Sequence, residues 1–179
     1  MEWGLLMREA DVPAFTAFVE ARSPTLFRTA LLLTGERHLA DDLVQSTLER
    51  LCRHWRRVQA ADSPEAYARR ILVNLAHDRW RKLRGPLEVP LDDGIGGGSV
   101  DPYKELDVRD ELMRTLHALP VRMRTVLVLR YFEDLDDAEI GALMDISPSS
   151  VRSQVTRGLA KLRSAVGRQA LGAHSGGAA

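Results

Sequence analysis

Asp136–Arg163 reads DDAEIGALMDISPSSVRSQVTRGLAKLR, and its spacing predicts two helices around one tight turn. The first, short helix buries Ile140, Leu143 and Met144, which recur at helical intervals. Asp145-Ile146-Ser147 forms the turn. Asp tolerates the left-handed backbone such a turn needs, though less well than Gly. Ser147 then caps a second helix with Pro148 in its first turn. Val151, Val155, Leu159 and Leu162 form the buried stripe of that helix, and the small Gly141 and Gly158 permit close approach. This is a helix-turn-helix pattern, and its basic second helix suits a DNA major groove. The exposed positions are Ser149, Ser150, Arg152, Ser153, Gln154, Thr156 and Arg157. Arg reads guanine bidentately, Gln reads adenine, and Ser bonds bases or phosphate. A generic surface helix can share this composition. Agreement of short helix, turn chemistry, cap and acid-free basic helix favours the DNA reading.

Upstream of that stretch, Val121–Tyr131 is a further short helix carrying Met123, Val126, Leu127 and Leu129. Leu106, Val108, Leu112, Leu116 and Leu119 precede it, and Pro120 marks the break. Gly85–Pro102 differs in kind, with Pro86, Pro90, Gly94, Gly96, Gly97, Gly98 and Pro102 beside Asp92 and Asp93. It reads as a flexible acidic linker. Before it, Asp11 and Pro13 start one helix, and Ser23-Pro24 starts a second that ends at Gly35. Leu39 to about Trp55 is a third helix, with Leu43, Val44, Leu48, Leu51 and Cys52 on its apolar face. A loop at 58–62 leads to Ser63-Pro64, which starts a helix reaching about Lys82. Tyr67, Ile71, Leu72, Leu75 and Trp80 are its expected buried side. The last helix is expected to end near Val166, leaving a Gly-containing, disordered tail. The fold expected is therefore all-α, with two small helical domains at 11–84 and 105–166, a linker at 85–104 and a tail at 167–179.

The chain has 179 residues, of which 45% are hydrophobic, enough for packed cores. Lys plus Arg equals Asp plus Glu at 25 each, yet the charge is unevenly placed. Arg50–Arg84 holds ten bases against three acids, and Pro148–Arg168 holds five bases and no acid. Gly85–Asp110 between them holds seven acids against two bases. Two basic blocks suit two surfaces for a polyanion, although solvated helix faces account equally well for charge alone. Cys52 is the single cysteine, so no internal disulfide forms. His38, His54 and Cys52 lack a fourth ligand, so metal binding is not expected. No arrangement of Ser, His and Asp, and no Gly-rich phosphate loop, points to catalysis or to a cofactor. Met1–Arg8 lacks the layout of a signal peptide, and no apolar run is long enough for membrane insertion. The expected compartment is the cytoplasm.

Three stretches together resemble the extracytoplasmic-function (ECF) sigma factors of bacterial RNA polymerase, of the SigE-type group in the sigma-70 superfamily. ERHLADDLVQSTLERLCRHW, Glu36–Trp55, resembles the region-two helix that binds the polymerase clamp. SPEAYARRILVNLAHDRWRK, Ser63–Lys82, resembles the part of region two that opens and reads the minus-ten element. The helix-turn-helix with its lead-in LPVRMRTVLVLRYFEDLDDAEI, Leu119–Ile140, resembles region four, which reads the minus-thirty-five element. Ser46, Asp145 and Gln154 depart from the common residues of that pattern.

The resemblance implies a non-enzymatic promoter-specificity subunit with core RNA polymerase and promoter DNA as partners, and an anti-sigma factor as a further one. It assigns Asp41, Asp42, Val44 and Gln45 to core binding. Arg69, Arg70, Asn74, His77, Arg79 and Arg81 fall to the minus-ten element. Ser149, Ser150, Arg152, Ser153, Gln154 and Arg157 fall to the minus-thirty-five element. Acids at 41 and 42 equally suit a helix N-terminus, and Asn74 could bond inside its bundle. Trp55, Tyr67 and Trp80 could stack on bases, but at helical spacing they are assigned to the core. A free-standing DNA-binding regulator and a helical interaction protein are the alternative classes; the free regulator has no need of the region-two stretches.

Overall fold

Proline, glycine and the small residues decide where these helices start, stop and touch. The computed structural model describes residues 7–84 and 108–175, with side chains at 7–82 and 112–165. The chain divides into two compact units, Met1–Leu87 and Glu88–Ala179. All described regular structure is helical. The expected linker at 85–104 lies outside the described residues.

In the first unit a short 3-10 turn, Glu9–Asp11, leads into α1, Val12–Thr34. Then come α2 (Arg37–Arg53), α3 (Trp55–Gln59) and α4 (Pro64–Arg84). α1, α2 and α4 pack against one another in pairs. Trp55 sits in their core, edge-on to Phe15 with ring centroids 5.1 Å apart and tilted against Phe18 at 5.3 Å. An Arg22–Glu65 ion pair ties α1 to the start of α4. α1 ends as expected: Gly35 takes a left-handed φ of 81°, and its N–H donates to the Leu31 carbonyl. The Ser63 hydroxyl caps α4 by accepting the Ala66 N–H at 3.1 Å.

Four local expectations are corrected in this unit. Ser23-Pro24 does not begin a new helix, because Pro24 lies inside α1. Buried Phe15, Leu26, Ala30 and Leu33 fall on one side of a continuous 3.6-residue helix. Their burial carries the helix across the one backbone bond that proline forgoes. Asp11 makes no side-chain cap. Its carboxylate instead holds Arg8 at 3.0 Å. The helix expected through Trp55 breaks at His54, whose φ of −119° and ψ of 19° leave the helical basin. α3 then occupies the start of the expected loop. On α4, full burial falls on Ala68, Leu72, Val73 and Ala76. Tyr67, Ile71, Leu75 and Trp80 are only partly covered. The two alanines let the backbone approach its neighbours and rotate the contact line toward themselves.

The second unit comprises α5 (Val108–His117), α6 (Val121–Tyr131), α7 (Asp137–Met144) and α8 (Pro148–Ser175). α8 packs on α5, α6 and α7. α6 is the centre, with every residue from Met123 to Leu129 buried. Asp136 begins α7 with a capping box. Its Oδ1 accepts the Ala138 and Glu139 N–H groups at 2.8 Å each, and Glu139 Oε2 accepts the Asp136 N–H at 2.8 Å. Asp145 adopts the expected left-handed turn conformation, with φ 55° and ψ 49°. A Cβ on Gly141 would stand 2.7 Å from the Ile146 carbonyl oxygen, so the turn folds directly over this glycine. Of the expected stripe on α8, Val151 is fully buried and Val155, Leu159 and Leu162 are half-buried. α8 does not end near Val166 but continues to Ser175. Arg168, Gln169, Ala170 and Leu171 are good helix formers, and no proline stops them.

Candidate nucleic-acid interface

Ser147 organises the entry to α8. Its hydroxyl accepts the Ser150 N–H at 3.1 Å and lies 2.9 Å from the Ser149 hydroxyl and 2.8 Å from that of Ser150. Three serine side chains therefore form one polar cluster at a helix N-terminus, where backbone N–H groups and the helix dipole favour an anion. Ser149, Ser150, Arg152, Ser153 and Arg157 are exposed, and Gln154 is half-buried. The Ser153 hydroxyl donates to the Ser149 carbonyl at 3.0 Å, and Arg157 Nε donates to the Ser153 carbonyl at 3.3 Å. Five residues turn a helix by roughly 500°, so Arg152 and Arg157 point about 140° apart. They cannot address the same base squarely.

Arg152 is not isolated. Its Nη1 donates to Asp137 Oδ2 at 3.3 Å, while Arg130 Nη1 stands 3.3 Å from Asp137 Oδ1. Sequence spacing gave no sign of this contact, because it depends on how α7 and α8 meet across the turn.

In the first unit, Arg70, Asn74, His77 and Arg81 recur at intervals of four, three and four. They fall within an arc of about 60° on α4. Arg70, Asn74 and Arg81 are exposed and His77 is half-buried. The stripe thus brings together four of the six residues expected at the minus-ten element. Arg69 and Arg79, both half-buried, point away from it. Arg79 reaches α2 instead, with Nη2 3.6 Å from Asp42 Oδ2. Arg81 pairs with Asp78 at 2.7 Å.

Asp41, Asp42 and Gln45 lie exposed on α2, where Gln45 Nε2 donates to Glu49 Oε1 at 3.2 Å. Val44 is only 8% exposed and stands behind this surface, in the core. Trp55 is buried as expected, and Tyr67 and Trp80 are partly covered.

One buried polar feature escaped the sequence reading. Arg124 is 2% exposed, and its Nη1 lies 2.7 Å from His117 Nδ1 and 3.2 Å from the His117 carbonyl oxygen. An arginine only donates, so His117 Nδ1 accepts and the ring is neutral, with its proton on Nε2. Burial first, and the Arg124 charge second, hold the His117 pKa down to about 4. Burial pushes the Cys52 thiol pKa up, against a smaller lowering by Arg53. Among the described residues, no three His, Cys, Asp or Glu side chains gather as a metal site, and no helix is long and apolar enough to cross a membrane.

Residues 18–85 match the family model for sigma-70 region 2, and residues 109–162 match that for sigma-70 region 4. An RNA polymerase sigma-E factor of Streptomyces avermitilis is 33% identical over 88% of this chain and 87% of its own length. That of Streptomyces coelicolor is 31% identical over 86% of each. The ECF RNA polymerase sigma factor SigE of Mycolicibacterium smegmatis is 31% identical over 87% of this chain and 62% of its own. Among solved structures, the sigma factor RpoE from Bartonella quintana, in complex with the anti-sigma factor NepR, shares the fold with a TM-score of 0.66. It is 20% identical and covers 86% of this chain and 96% of its own.

Proposed function

The chain belongs to the sigma-70 family as an extracytoplasmic-function sigma factor, and on that premise we propose that it binds core RNA polymerase and directs initiation at promoters with minus-ten and minus-thirty-five elements. One observation carries the reading. The same chain presents a polar and basic stripe on α4 and, in a separate unit, a helix-turn-helix with an exposed basic helix. A sigma factor needs two such surfaces, one for each promoter element.

On this reading α8 enters the major groove of the upstream element by its N-terminus. Arg152, with Ser153 beside it, reads bases, and Arg157 grips phosphate. Ser149 and Ser150 present hydroxyls at the same end, and Gln154 contributes at the edge. On α4, Arg70, Asn74, His77 and Arg81 face the opened strand at the downstream element, where a basic groove and a pocket for an unstacked base are required. Arg69 and Arg79 support that helix from its sides. The chain works without chemistry of its own, in the cytoplasm, and bond formation belongs to the polymerase. An anti-sigma factor is a further proposed partner, as in the solved complex from Bartonella quintana.

Core binding falls to Asp41, Asp42 and Gln45, an acidic patch suited to a basic partner surface, with Val44 fixing the helix from behind. The double variant Asp41→Arg, Gln45→Ala tests this surface. Both residues are exposed, so the fold should survive. Affinity for core polymerase should fall by about tenfold or more, since the reversed charge now faces like charge. Unchanged affinity with an intact helical spectrum would remove these residues from the interface.

A further inference from the structure

Asp137 opens α7 beside the capping residue but takes no part in the capping box, which Asp136 and Glu139 complete between them. Its side chain is 22% exposed, and both of its oxygens are engaged. Oδ1 faces Arg130 of α6 at 3.3 Å, and Oδ2 accepts from Arg152 of α8 at 3.3 Å. Arg130 is itself anchored, because its Nη1 donates to the Leu135 carbonyl at 3.2 Å. One carboxylate therefore links a fixed arginine to the first arginine of the helix that enters the groove. The Arg152 side chain remains 63% exposed while held.

We propose that Asp137 is a positioning residue for sequence readout, holding Arg152 so that its free edge meets a base rather than the phosphate backbone. The proposal rests on the reading of α8 as the recognition helix and of Arg152 as a base reader.

A free arginine side chain has many rotamers, and most of them near DNA lead to phosphate, which carries the attraction but no sequence information. Tethering Nη1 to a protein carboxylate removes much of that freedom before DNA arrives. It leaves Nε and Nη2, the pair that matches guanine O6 and N7 bidentately. A carboxylate at a DNA surface also repels phosphate, so Asp137 lowers affinity for every sequence. Its presence trades general affinity for discrimination, which is how specificity is gained against competing sites.

The test uses the full chain assembled with bacterial core RNA polymerase and promoter duplexes randomised across the upstream element. Bound and unbound pools are sequenced, and the salt dependence of binding is measured. Asp137→Asn keeps shape, leaves the capping box in place and leaves Arg130 its carbonyl partner. It should reduce preference at the base pairs read by Arg152 by about two- to fivefold, the range of a partly exposed ion pair. Affinity for unrelated sequences should rise, and the salt slope should steepen by about one. In an Arg152→Ala background, Asp137→Asn should no longer change base preference. A fold defect alone would lower all binding together and could not raise unspecific affinity. If Arg152→Ala shifts base preference but Asp137→Asn leaves it and the salt slope unchanged, Asp137 has no positioning role and the recognition-helix reading stands. If Arg152→Ala also leaves preference unchanged, the base-reading assignment and the Asp137 inference both fail.

Discussion

Arg124 and His117 set the polar balance inside the second unit. A guanidinium with 2% exposure needs acceptors, and the neutral His117 ring supplies one at Nδ1. That arrangement makes the unit sensitive to acid. Unfolded histidine titrates near pH ~6.5, whereas folded His117 is held down to about 4. Between those values the unfolded chain takes a proton that the folded one refuses. The contribution is complete above about pH 6.5 and is lost as pH falls toward 4. Thermal unfolding of the full chain should therefore show a lower melting temperature for the second unit at pH 5 than at pH 7. His117→Asn keeps an acceptor where Nδ1 stands but does not titrate in this window. Its melting temperature should change less between the two pH values. An equal pH response in both proteins would show that His117 is not the group responsible. Residue-scale features of this kind were legible only where they are local. Asp145 in its left-handed turn and Ser147 at its cap follow from neighbouring residues. The Arg124–His117 contact and the Asp137 bridge join different helices, and no spacing rule along one helix finds them.

At the scale of the elements, α7 and α8 were readable because turn chemistry, caps and apolar period agreed. α1 was misread because they conflicted: Ser23-Pro24 is a start signal, while Phe15, Leu26 and Leu33 continue one stripe through it. Packing decided the outcome, since burial of that stripe outweighs one lost backbone bond. The conflict leaves a measurable residue of cost. Pro24→Ala should restore an N–H donor to the carbonyl of residue 20. Interior proline costs about 3 kcal/mol, and replacing it loosens the unfolded chain by about 0.4–1 kcal/mol. A net gain of about 1–2 kcal/mol is expected for the first unit, because packing already relieves part of the strain. Chemical denaturation of the full chain reads it as a higher midpoint for that unit. An unchanged or lower midpoint would mean that α1 is shaped around the proline. The same competition rotated the buried side of α4 toward Ala68 and Ala76. Hydrophobicity marks which residues favour burial, but the closest approach of two backbones is set by the smallest side chains. The polar stripe of Arg70, Asn74, His77 and Arg81 needed only helical periodicity, so most of the candidate downstream surface was visible beforehand.

For the whole molecule, the proposed function depends on two surfaces in two units acting on one promoter. Each surface alone suits an ordinary DNA-binding protein; together with an acidic patch on α2 they suit a subunit that brings a polymerase to its start site. The all-helical architecture was legible from composition and period. On α2 the period placed Val44 on the apolar face while the resemblance assigned it to core binding, and its burial separates it from exposed Asp41, Asp42 and Gln45. The most direct test of the account is reconstituted transcription. Purified full-length chain is mixed with bacterial core RNA polymerase and fragments of the genome of its own organism, and the 5′ ends of the transcripts are sequenced. The account predicts discrete start sites that appear only when the chain is present, each preceded by the same two spaced sequence elements. Identical start sites without the chain, or none despite its stable binding to core polymerase, would contradict it.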